Sequence, residues 1–298
     1  MNKYLIEKNN LKVSKITIIN NDYLLETPLG LYLLKKGNIK TYDYLLSRGF
    51  NYFPKIIDYD NEYILFEYVE GIDYDSNLKA LDLIRILSLM HSKTSYFKNI
   101  TNENNEIYNN IKNNITYLNN YYNNLINIIE DKEYYSPSEY LILRNTSIIF
   151  SSLNYSYELL EEWYSKYKDN NKKRVCTLYN DININNIIRT KDNIFITNLN
   201  NTYVDRPIYD LINFYNKYYM DYDFYNLIKT YEKVFSLSLE EIDLFLIFIL
   251  IPSKIELSNS INDIYSIKNK IIKIYKSIDL LKLKKEKDGS AHKKEDNK

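Results

Sequence analysis

One cysteine, Cys176, stands in 298 residues, which excludes an internal disulfide and any zinc site built from several thiolates. Only two histidines are present, and no serine, cysteine and histidine grouping points to a hydrolase. His91, at the end of an apolar helical pattern, reads as a core residue and not a metal ligand. Five glycines leave few places where the backbone can approach a phosphate closely. Long hydrophobic runs are also missing. Leu244 to Ile251 stops at Pro252, far short of the roughly 20 residues that cross a bilayer, and reads as a buried helix. Net charge is absent too: 39 Lys and Arg balance 39 Asp and Glu, so nothing global attracts phosphate backbones or acidic lipid. Neither nucleic acid nor membrane is expected as a partner. The first residues, Met1 to Lys8, lack the apolar stretch of a signal peptide, which with the lone thiol predicts a cytoplasmic protein.

What the chain does contain is enough apolar residue, 45%, to bury a sizeable core in two lobes or one large domain. Its 33 tyrosines, with many asparagines and isoleucines, fit A/T-rich codon usage better than special chemistry, although exposed phenols also suit interfaces. Alternation predicts strands at Val13 to Ile19, Tyr23 to Leu25 and Leu31 to Lys35, with turns at 20–22 and Thr27 to Gly30. A short helix follows from Lys40 to Arg48, then extended chain at Pro54 to Asp58 and Tyr63 to Glu67. Beyond residue 76 the pattern turns helical. Leu78 to His91 and the asparagine-rich Asn102 to Ile129 keep apolar residues on one stripe. Ser136-Pro-Ser-Glu139 is a capping box with proline at the first helical position, and predicts one long helix carrying Ile148, Leu153, Leu160 and Trp163. Asp205 is expected to cap a further helix, with helices continuing to about Leu283. The organisation read from this is residues 1–70 as a sheet with one helix, 71–283 as a helical part, and a polar tail, 284–298, as disordered.

Chemistry concentrates in Leu178 to Arg189, where Asp181 and Asn186 stand five apart. That spacing resembles a kinase catalytic loop, in which the acid orients the attacking hydroxyl and the amide ligates Mg²⁺. Leu33 to Lys36, Phe66 to Gly71, Leu87 to His91 and Leu178 to Leu211 come in the order of the aminoglycoside/choline phosphotransferase branch of the kinase-like superfamily. The chain resembles that branch, and within it the spore-coat S-type proteins of endospore-forming Firmicutes. The resemblance implies an α+β, two-lobed protein-kinase-like fold with a small antiparallel-sheet N-lobe and a large helical C-lobe, whose catalytic-loop-like segment is 178–211.

It also implies roles. Lys35 would neutralise the α- and β-phosphates of ATP, held by an acid from the next helix, where Asp43 is the only carboxylate. Main-chain groups at Glu67 and Val69 would contact the adenine, Asp181 would be the catalytic carboxylate that accepts or orients the acceptor hydroxyl's proton, Asn186 and Asn198 the Mg²⁺ ligands, and Asp210 a structural residue. Two departures stand out. Tyr179 and Asn180 replace the His and Gly that precede such an Asp, and Asn180 can keep the turn because asparagine tolerates positive φ. Asn198 and Asn200 stand where the family has carboxylates, and a neutral amide holds a hard cation far less well. Two functions are therefore carried forward: a catalytically impaired kinase-like protein, a pseudokinase binding spore-coat proteins, and an active ATP-dependent phosphotransferase on a small-molecule or protein hydroxyl. A tyrosine-rich helical scaffold with an accidental motif is the third.

Overall fold

Short strands and long amphipathic helices separate cleanly along the chain. The computed structural model describes residues 4–19, 22–258 and 262–295. Two compact units emerge: Met1–Ser95 with Cys176–Asp205 and Leu227–Phe235, and Tyr96–Val175 with Arg206–Asn226 and Ser236–Lys298. The sequence expectation, a division near residue 70, differs because the loop region 176–205 packs with the N-terminal segments.

The first unit opens with α1 (Tyr4–Lys8) and a five-stranded antiparallel sheet of β1 (Lys15–Ile19), β2 (Asp22–Thr27), β3 (Gly30–Lys36), β4 (Ile56–Tyr59) and β5 (Tyr63–Glu67), in the order β1-β2-β3-β5-β4. The turn expected at 20–22 falls at residues 20 and 21, outside the described residues. β5 is an unbroken apolar run, Ile64, Leu65 and Phe66 all being buried, as suits a strand covered on both faces. Leu65 joins Leu25, Leu34 and Leu5 in a small leucine core. α2 (Ile39–Ser47) is capped by the Asn38 side chain and stopped by Gly49, whose φ of +74° ends the helix while Phe50 N–H reaches back to Leu45 O. α3 (Ser76–Thr94) buries Leu83, Leu87 and Met90, and its His91 is fully buried with Nδ1 2.7 Å from the Tyr231 hydroxyl.

In the second unit α4 (Glu103–Glu130) buries Ile111, Ile115, Leu118, Tyr122, Ile126 and Ile129 on one stripe, so most of its asparagines occupy the solvent face, Asn104 being the buried exception. The single long helix expected from Ser136 is two: α5 (Pro137–Arg144), with the capping box in place, and α6 (Thr146–Tyr167). Asn145 breaks them. Its backbone leaves the helical region (φ −111°, ψ 12°) and its side-chain amide donates to Leu141 O. α7 (Ile208–Tyr218) starts at Pro207 without a side-chain cap; Asp205, expected to cap it, instead ends a strand. α8 (Phe224–Glu232) follows, its residues from Leu227 onward belonging to the first unit; then come α9 (Leu239–Leu250), a buried helix as its apolar run implied, and α10 (Asn262–Asp279). The tail expected to be disordered continues as α11 (Lys282–Glu295), where Lys284 is tied to Glu162 and Asp243; residues 296–298 lie outside those described. No helix among the described residues is long and apolar enough to cross a membrane.

Five further strands complete the chain. β6 (Tyr96–Asn99) pairs with the first half of β7 (Lys172–Leu178) in the second unit, and β10 (Tyr203–Asp205) with its second half in the first. β8 (Ile187–Arg189) and β9 (Ile194–Ile196) form a hairpin.

Candidate functional site

The β8–β9 hairpin brings the two candidate metal ligands together. Its register, Ile187 against Ile196, sets Asn186 opposite Thr197, and Asn186 O accepts from both the N–H (2.9 Å) and the hydroxyl (3.1 Å) of Thr197. Asn186 ends a one-turn 3-10 segment, Ile184–Asn186, which the Asn183 side chain initiates by accepting from Asn185 N–H. Upstream, Asn180 has φ +63°, the left-handed turn expected of it. Arg189, at the end of β8, grips buried Asp82 of α3 (Nη2 to Oδ1 3.0 Å, Nε to Oδ2 2.9 Å) and lies over the Tyr74 ring, fastening the hairpin to the helix. Burial, then the Asp82 charge, pushes the Tyr74 phenol well up.

Side chains then link in a continuous series. Lys35 Nζ donates to Asn198 Oδ1; Asn198 Nδ2 donates to Asn186 Oδ1 at 2.9 Å; Asn186 Nδ2 donates to the Tyr179 hydroxyl at 2.7 Å; and Tyr179 donates to Thr197 O at 2.8 Å. Asp181 joins at the side, its Oδ2 3.3 Å from Asn186 Nδ2. Lys35, Asp181, Asn186 and Asn198, the sequence candidates for phosphate, catalysis and metal, therefore share one cluster. Asn198 is itself left-handed, at φ +61°.

Other candidates lie differently. Lys35 is held by Asp22 of β2, Nζ to Oδ2 2.9 Å with both side chains 15% exposed, and not by Asp43, which is exposed on α2. Strand pairing explains it: β2 lies beside β3, whereas helical spacing turns Asp43 outward and sends its neighbour Tyr42 into the core. Burial raises the Tyr42 phenol far above its usual range, even as it bonds to the Leu199 backbone. Asn200 donates to Lys36 O at 2.8 Å, and its Oδ1 crowds Gly37, where a Cβ would come within 2.6 Å. Glu67 and Val69 share no bond with the cluster. Glu67 pairs with Tyr32, three register positions from the Lys35–Ile64 pair and so about 10 Å along the strand. The Val69 N–H has no hydrogen-bond partner among the described residues. Asp210 is fully buried in α7. Sequence reasoning missed Asp22, because its pairing with Lys35 depends on the β2–β3 register.

The cavity touching Lys35 and Asn198, closed by Leu33, Tyr42 and Phe66, is ≈ 20 Å³, about enough for one water. A hollow of ≈ 700 Å³ beside Glu67 and Val69 runs past Phe53 and Phe195 and includes none of the cluster residues. As a site for Mg²⁺ the donor set does not fit. Asn186 and Asn198 are neutral, each oxygen already accepts an N–H, and no group of three His, Cys, Asp or Glu that could hold a metal exists among the described residues.

No family model matches the chain, and no curated protein matches it in sequence. Solved structures do match it in fold. An aminoglycoside phosphotransferase from Alicyclobacillus acidocaldarius is similar with a TM-score of 0.68 at 11% identity, covering 96% of this chain and 96% of that one. A choline kinase from Streptococcus pneumoniae gives 0.46 at 15% identity over 91% and 97%. A spectinomycin phosphotransferase in its AMP-bound complex gives 0.48 at 10% over 93% and 98%. With its antiparallel sheet, its large helical part and the end-to-end likeness to the first of these, the chain has the two-lobed protein-kinase-like fold.

Proposed function

We propose that this chain is a kinase-like protein in which efficient phosphoryl transfer is lost and which acts by binding, as a spore-associated component of coat assembly. The coat role follows from the sequence resemblance. The impairment is supported by one observation above all, the closed series Lys35–Asn198–Asn186–Tyr179–Thr197. An aspartate at 198 could not donate to Asn186 Oδ1; it would leave two acceptors facing each other and so call for a cation between them. The amide fills that gap with its own N–H, and the cluster satisfies itself. The missing carboxylate charge weakens cation attraction at close range by roughly several kcal/mol. Asp22 meanwhile already balances Lys35.

A second reading, an active ATP-dependent phosphotransferase on a small-molecule or protein hydroxyl, is favoured by Asp181 standing 3.3 Å from Asn186 and by the open Val69 N–H. Under it Lys35 would meet the phosphates, Glu67 and Val69 the adenine, and Asp181 would orient the acceptor hydroxyl.

Thermal unfolding with ATP, with and without Mg²⁺ or Mn²⁺, separates the two, together with turnover of labelled ATP against candidate hydroxyl acceptors. The impaired reading expects no metal-dependent shift and no turnover. A shift of several degrees that requires the metal, or turnover abolished by Asp181→Ala, would overturn it, because a ligand at about 100 times its dissociation constant stabilises by about 2.7 kcal/mol.

A further inference from the structure

Within the helical unit, α4, α7, α10 and the end of α9 line an open groove of ≈ 650 Å³. Its walls are aromatic, with Tyr117, Tyr209 and Phe248 contributing and the last two rings edge-on at 6.0 Å. Lys273 enters from α10. Burial lowers its pKa with no carboxylate to offset the effect, and among the described residues it forms no ion pair. Elsewhere this protein pairs such lysines: Lys173 with Glu103 at 2.7 Å, Lys284 with Asp243 at 3.0 Å, Lys35 with Asp22 at 2.9 Å. Its Nζ lies 6.0 Å from the centre of the Tyr219 ring; a partly desolvated ammonium with no carboxylate partner is still costly, and the cost falls when an anion binds against it.

The polar groups nearby can donate to an anion through their amide N–H groups. Asn110 and Asn114 lie four apart on one face of α4, Asn216 faces them from α7, and no protein hydrogen bond uses these three side-chain amides among the described residues. At the rim Lys254 pairs with exposed Glu256 at 2.8 Å and lies 4.8 Å over the Tyr121 ring. No acidic residue lines the groove.

We propose that this groove binds a small organic anion, its oxyanion head against Lys273 and its flat apolar body against Tyr209 and Phe248. The absence of acid from the lining disfavours cationic ligands, for which an aromatic groove would otherwise serve well. The site stands apart from the Lys35–Asn198 cluster in residues and in chemistry, and it holds whether or not the protein transfers phosphate.

Isothermal titration of the full chain with 2-naphthoate, 2-naphthylmethylammonium and inorganic phosphate tests the assignment. The expected result is 2-naphthoate binding at least tenfold tighter than either, with that affinity lost at least tenfold in Lys273→Met and largely kept in Lys273→Arg. Thermal unfolding of Lys273→Met should be unchanged or raised, since the variant removes a partly buried charge, which separates loss of ligand from loss of fold. Equal affinity for the ammonium compound, wild-type affinity in Lys273→Met, or no binding of 2-naphthoate at millimolar concentration would each overturn the proposal.

Discussion

Among the described residues the non-glycine positions with a left-handed backbone are Asn10, Asn102, Asn180 and Asn198, all asparagine. A chain with five glycines still has turns that require positive φ, and asparagine is the ordinary side chain that meets them at least strain. Two of the four are in the candidate site. At Asn180 a branched or methyl side chain meets the full steric penalty, so Asn180→Ala should destabilise by about 1–2 kcal/mol in urea unfolding and Asn180→Gly by clearly less. At Asn198 aspartate tolerates the same backbone, so Asn198→Asp is a test of chemistry and not of folding. The substitution removes the N–H that Asn186 Oδ1 now accepts and sets two oxygens face to face. The variant should be less stable than the parent without metal, by about 1–3 kcal/mol for the acceptor left unpaired, and should regain stability when Mg²⁺ and ATP are added together. Equal unfolding temperatures with and without the metal would mean that the amide at 198 is not what closes the site.

Much of the element pattern was legible because the signals were local. The capping box at Ser136, the glycine stop at Gly49 and the apolar β5 each rest on residues a few positions apart, and each is found where expected. What escaped was set by pairing at a distance. β6 and β7 take their form from each other across some 75 residues, Asp205 is drawn into β10 by Cys176, and Asp22 meets Lys35 only through the β2–β3 register. The α5–α6 break escaped for a different reason: asparagine in a helical pattern is neutral until its side chain takes a backbone carbonyl. The α5 start also fixes a pH dependence. Glu139 accepts from Lys132 and from Ser136 N–H, and these bonds, Lys132 first, hold its carboxyl down at about 2 from the usual 4.5. Its contribution is therefore complete above about pH 4.5 and lost as pH falls toward 2. Glu139→Gln should lower the unfolding temperature at neutral pH, with the gap to the parent closing on acidification, while Ser136→Ala should cost about 1 kcal/mol across that range.

At the scale of the whole molecule, equal numbers of acid and base leave stability to particular pairings instead of a global field, and the one that secures the C-terminal helix is the most exposed to test. Composition alone read the end of the chain as disordered, since 284–298 holds almost nothing apolar. In the structure Lys284 is only 12% exposed and reaches both Glu162 of α6, at 2.7 Å, and Asp243 of α9, at 3.0 Å. Asp243 is buried, and burial raises its pKa despite the opposing pull of Lys284. A carboxyl raised in the folded state favours the folded form when protonated and opposes it once ionised, so its penalty grows as pH climbs through the folded pKa. Lys284→Met deletes the partner and leaves a buried acid uncompensated, a change that costs about 3–5 kcal/mol where the charge cannot escape to water. The loss should be greatest at neutral pH and should shrink as pH is lowered and Asp243 takes up a proton. Adding Asp243→Asn to Lys284→Met should recover most of the stability at neutral pH, because no charge is then left buried; a double variant no more stable than the single one would show that Lys284 acts through Glu162 instead.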